Sequence, residues 1–88
     1  MKLRCNFEAV DLENEIILVP VGRGADQIHG VIKSNTAGQE IVDLLQKDTT
    51  IEYILSELSG KYTNSYETLR KYVLSVIAYL RQNNLIEE

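Results

Sequence analysis

The stretch from Val31 to Leu45, VIKSNTAGQEIVDLL, changes its backbone period part-way along, and no other feature constrains the fold as strongly. Residues before it alternate as strands do. Residues after it repeat with the 3.6-residue spacing of amphipathic helices. Asn35 or Thr36 can cap the first helix, and from Thr36 the capping-box partner Gln39 lies three residues on. Ala37, Ile41, Leu44 and Leu45 then share one face, while Glu40, Asp43 and Gln46 fall elsewhere. The junction itself carries no group that suggests chemistry.

Upstream, Phe7, Ala9 and Val10 suit a short first strand, followed by a polar turn from Asp11 to Asn14. Ile16, Ile17, Leu18 and Val19 make the clearest strand, continued by Val21 beyond Pro20. A proline has no ladder donor, so Pro20 belongs at an edge or a strand end. Gly22 to Asp26 reads as a turn, and Ile28 to Lys33 returns as the third strand, with Gly30 inside it at a bulge or close approach. The GRG in this turn is no phosphate loop, because neither a following GK[ST] nor a full GxGxxG is present. His29 stands alone, without the partners a metal site or a general base needs.

Downstream, Thr49 with Glu52 offers a second capping box, Ile51, Ile54, Leu55 and Leu58 face a core, and Gly60 stops that helix. The third and longest helix begins near Ser65, with Asn64 and Glu67 as its start signal, and runs to about Asn83. Its core stripe reads Leu69, Val73, Val76 and Leu80, bordered by Ile77 and Tyr66 on one side and by Tyr72 and Tyr79 on the other. Leu85 and Ile86 close the chain as a short strand or as core filler. The expected class is α+β: a short antiparallel three-stranded sheet followed by three helices.

Eighty-eight residues allow one compact core, so residues 1–88 read as a single domain. Cys5 is the only cysteine, which excludes an internal disulfide and a cysteine-based zinc site and suits a buried thiol. No cofactor loop, metal cluster or acid–base pair is evident, so the chain reads as a non-enzyme with no cofactor. The start MKLRCNFEAV has no secretory apolar run and no segment is long enough to span a bilayer, which points to the cytoplasm and away from membranes. A formal net charge of -4 disfavours nucleic acid and favours a protein or peptide partner.

Two surfaces attract attention. One is the flank of the third helix where Arg70, Leu74, Ala78 and Arg81 offer an apolar strip with positive ends. The other is the strand from Ile28 to Lys33, whose open edge can take an added peptide strand through main-chain hydrogen bonds. The same apolar edge leaves open a homodimer.

The segment IILVPVGRGADQIHGVIKSN followed by TAGQEIVDLL, the Ile51–Leu58 pattern and the closing LRQNNLIEE resemble the pyrroloquinoline quinone synthesis protein D (PqqD) family over nearly the whole chain. The resemblance implies a winged-helix-like peptide-recognition domain that is not itself catalytic. Such domains bind the leader of a ribosomally made precursor peptide and present it to a modifying enzyme, often a radical S-adenosylmethionine enzyme. Carried onto this sequence, the leader is expected to lie beside Ile28, Gly30, Val31, Ile32 and Lys33 and against Arg70, Leu74, Ile77, Ala78 and Arg81. Ser34 stands where leucine is common in the family, and the usual glycine after the first helix is missing from QKDTT. Those departures bear on the pyrroloquinoline quinone pathway more than on the recognition class. The alternatives are a winged-helix nucleic-acid regulator using Arg70, Lys71 and Arg81, and a structural subunit that buries Leu74 in a complex.

Overall fold

The computed structural model describes residues 1–88 except Asn14, Arg23, His29 and Gly30, and except the side chain of Gln27. The elements run β1 (Lys2–Leu3), β2 (Asn6–Leu12), β3 (Glu15–Val21), a 3-10 turn (Ala25–Gln27), β4 (Ile32–Ser34), α1 (Thr36–Leu44), α2 (Ile51–Ser59), α3 (Tyr66–Gln82) and β5 (Ile86–Glu87). The three-stranded antiparallel sheet has the order β2–β3–β4, and β1 pairs separately with β5. This is the α+β arrangement that the sequence pattern predicts and the winged-helix-like form that the resemblance implies, with a second, two-stranded ribbon added.

The hairpin is longer than its apolar residues suggested. β2 continues through Asp11 to Leu12, which pairs with Glu15. Glu13, in the connection, has φ 44, the left-handed backbone that a two-residue hairpin loop requires. Phe7, Ile16 and Leu18 turn inward to the core. Pro20 causes no break, because it pairs with Phe7 in β2 and lies beyond Leu18, where the described β3–β4 pairing stops.

The third strand is shorter and later than Ile28–Lys33. The 3-10 turn takes up the chain through Gln27, the Ile28 N–H donates to Ala25 O at 3.1 Å, and the described pairing runs from Ile32 to Ser34. The expected turn and strand positions at Arg23, His29 and Gly30 lie outside the described residues.

Helix starts follow their caps. Asn35 Oδ1 accepts from the Gly38 N–H at 2.9 Å, so Asn35, not Thr36, caps α1. Thr50, not Thr49, caps α2 through the Tyr53 N–H at 3.1 Å; the Thr49 N–H instead donates to Met1 O at 2.8 Å. Ser65 caps α3 by accepting from the Thr68 N–H at 3.2 Å.

The buried faces differ slightly from the predicted stripes. α1 buries Gly38, Ile41 and Val42, with Leu45 at its C-cap, while Ala37 and Leu44 are only half-buried. α3 buries Leu69, Val73, Ile77 and Leu80, and Val76 is half-buried. Each such leucine, isoleucine or valine contributes about 1.5–3 kcal/mol of transfer free energy.

The N-terminal segment fastens both ends of this core. The Leu3 N–H donates to Leu45 O and the Arg4 N–H to Leu85 O, each at 2.9 Å, and Leu3, Cys5, Leu85 and Ile86 are buried. Burial pushes the Cys5 thiol above its ordinary pKa. Among the described residues, no helix is long and apolar enough to cross a membrane.

Candidate functional site: a groove between a sheet edge and a helix

Because β4 is last in the sheet, one side of it pairs with β3 and the other faces α3. An open groove of about 630 Å³ lies between them. Ile32, Lys33 and Ser34 form its strand wall, preceded by Val31. Tyr72, Ser75, Val76 and Tyr79 form its helix wall, and Leu18, Val42 and Leu80 reach its floor from the core.

The helix wall follows from spacing. Residues of an α-helix advance by about 100° each, so positions 72, 75, 76 and 79 share one side. The Tyr72 hydroxyl donates to Asn35 Oδ1 at 2.9 Å, and that same oxygen caps α1. Tyr72 thereby ties the helix wall to the junction where the strand wall ends. The Ser75 hydroxyl is turned back onto Tyr72 O at 2.7 Å, which leaves the surface it presents largely apolar. Behind this corner, burial and then the Glu40 carboxylate raise the pKa of the half-buried Tyr62.

A second open section of about 710 Å³ continues from the first, sharing Val31, Ile32 and Tyr79 with it. It is more polar: Arg4, Asn83, Asn84 and Glu87 border it, with Ile28 and Leu85 beside them. The Arg4 Nε–H donates to Ile86 O at 3.2 Å, which holds that side chain against β5. Tyr79 is 49% exposed and stands where the two sections meet. Such a trough suits an extended chain better than a compact small molecule: it is long, open and flanked by an edge strand. Among the described residues no cluster of His, Cys, Asp and Glu is arranged to hold a metal.

The sequence-derived strand residues Ile28, Val31, Ile32 and Lys33 line this trough; Gly30 lies outside the described residues. The helix residues do not join them. Arg70, Leu74, Ala78 and Arg81 lie on the side of α3 turned away from the groove, and Ile77 is 1% exposed in the core. Arg81 is engaged with the Glu88 carboxylate, its Nε at 2.7 Å from Oε1. The sequence pattern assigns Val76 to the core stripe and Tyr72 and Tyr79 to its border, whereas the structure brings all three, with Ser75, into the groove. Two tyrosines seven residues apart, each with an apolar body and a polar tip, are the signal in the sequence for that face.

A three-stranded hairpin sheet, a three-helix layer and a groove between the β4 edge and α3 define a small winged-helix-like domain. The model of the family described as coenzyme PQQ synthesis protein D (PqqD) matches residues 15–86, and the chain belongs to that family. A solved structure described as TbiB1 in complex with the TbiA(beta) leader peptide superimposes with a TM-score of 0.70. The match covers 99% of this chain and 95% of that one at 18% identity, a level at which the likeness concerns the fold. No curated protein matches in sequence. Domains of the PqqD family are non-catalytic.

Proposed function

We propose that this domain is an adapter that captures the leader region of a ribosomally made precursor peptide in the β4–α3 groove and presents the peptide to a modifying enzyme in the cytoplasm. The observation that carries the reading is the open β4 edge facing an apolar, tyrosine-bearing side of α3 in a chain of the PqqD family. The described complex of TbiB1 with a leader peptide supports it by likeness of fold.

In this mechanism the leader adds a strand to β4. Main-chain hydrogen bonds give affinity, and alternate side chains enter the apolar floor at Leu18, Val42 and Leu80. Catalysis is served by proximity: a tethered leader raises the local concentration of the segment to be modified. For a family named after a coenzyme synthesis, a radical S-adenosylmethionine enzyme is the first partner to test. Nucleic acid fits less well, because the net charge is -4 and Arg81 is already paired.

Titration of the isotope-labelled domain with leader peptides from neighbouring reading frames tests the reading, with duplex DNA as comparison. Saturable amide shifts centred on Val31–Asn35 and Tyr72–Tyr79 are expected. Shifts confined to the Arg70–Leu74–Arg81 side, or a response to DNA alone, would refute it.

A further inference from the structure

We propose that the outer face of the β2–β3 hairpin is a second docking surface, for a protein partner that presents an apolar strip edged with lysine or arginine. The register defines this face. Cross-strand partners point to the same side of a sheet, and the pairs Phe7–Pro20, Ala9–Leu18 and Asp11–Ile16 belong to the side that carries the core residues Phe7, Ile16 and Leu18. The pairs Glu8–Val19, Val10–Ile17 and Leu12–Glu15 therefore share the opposite side.

Scattered surface hydrophobes are ordinary, but these are contiguous. Val10 is 43% and Leu12 54% exposed, and Ile17, Val19 and Val21 beside them are only half-buried. No other described element covers this side of the distal hairpin, where every residue from Glu8 to Leu12 is exposed.

Charge selects the occupant. Glu8, Asp11, Glu13 and Glu15 are the only charged residues between Asn6 and Val21, and together they equal the net charge of -4, so the rest of the chain is balanced. Glu8 and Glu15 stand on the outer face itself, and Lys33 faces Ile17 from β4 on its far side. A second copy is a poor occupant: pairing β2 to β2 would gather the carboxylates of both hairpins on one sheet with no basic residue in either. A partner with basic groups around an apolar centre satisfies both features. The groove lies at the other edge of the sheet, so both surfaces can be filled at once, and the proposal does not depend on what fills the groove.

The probe is a synthetic strand peptide of about ten residues alternating valine and lysine, with a valine–glutamate counterpart, titrated into the labelled full chain. Saturable shifts over Asn6–Leu12 and Glu15–Val21 are expected with the lysine peptide and none with the glutamate one. The double variant Val10→Ser/Leu12→Ser should weaken binding by roughly tenfold, since each loses apolar area that the probe would cover. Its unchanged groove response to a leader peptide, or an unchanged amide spectrum elsewhere, shows that it is folded. Absence of saturable binding, equal binding of the glutamate peptide, or full affinity in the serine variant would overturn the proposal. So would self-association that the serine variant abolishes.

Discussion

Replacing Tyr79 by alanine tests where on α3 the groove lies. A tyrosine buries about 150–250 Å² when fully covered, and at 49% exposure roughly half of that is free for a ligand to cover. At about 25 cal/mol per Å² this is worth about 2–3 kcal/mol when fully covered, or roughly 30- to 160-fold in Kd. The fold should barely respond, because the ring stands at the rim and the described structure gives its hydroxyl no hydrogen-bond partner. The assay is calorimetric titration of a leader peptide into wild type, Tyr79→Ala and the opposite-side variant Leu74→Ala, each first checked by thermal unfolding. The expected order is a large loss for Tyr79→Ala and a change within about twofold for Leu74→Ala, whose half-buried side chain lies away from the groove. Equal affinities for Tyr79→Ala and wild type, or a dominant loss at Leu74, would refute the placement of the site.

Gly38 supplies a test of the junction between β4 and α1. A Cβ there would collide with Ser34 Oγ and sit 3.4 Å from Asn35 Oδ1 and Ser34 Cβ. Gly38→Ala should lower the melting temperature and weaken leader binding, and Ser34→Ala in the same chain should restore much of both; failure of that rescue would show that the backbone, not the hydroxyl, sets the limit. Cys5 supplies a pH test. Burial raises its folded-state pKa above the unfolded value, so its stabilising contribution is complete below the ordinary thiol pKa and is lost as the pH rises through the folded-state value. Denaturant titrations should therefore show stability falling on the alkaline side of the thiol range, with a shallower fall in Cys5→Ser; Cys5 should also react slowly with thiol reagents until the chain unfolds.

Much of the local structure was legible because it is encoded locally. The strand alternation of Ile16 to Val19, the helix starts at Asn35 and near Ser65 and the stop near Gly60 depend on neighbours within a few residues. The α2 start expected at Thr49 falls one residue later, at Thr50, and the Thr49 N–H is held by a distant partner, Met1 O. Of the β1–β5 ribbon, the sequence suggests a closing strand at Leu85 and Ile86 but neither β1 nor the pairing of the two. Each strand has two residues, too few for any period, and their pairing is set by the approach of the chain ends across the core.

Spacing and caps are properties of the chain alone, and they specify α3 as one long amphipathic helix preceded by an edge strand. They do not determine how α3 is rotated about its axis. Leu69, Val73, Leu74, Val76, Ile77, Ala78 and Leu80 place apolar groups around much of the helix, so periodicity permits more than one buried stripe. Packing against α2 and the sheet settled the matter by burying Ile77 and leaving Val76 half-open beside Tyr72 and Tyr79. The buried stripe itself turns by only about 25° from the predicted one. What differs is which of its flanks meets β4, and that places Tyr72 and Tyr79 in the groove and Arg70, Leu74 and Arg81 on the far side. Helical spacing cannot make that choice, because the free energy that favours one placement of α3 resides in contacts between segments far apart in the chain.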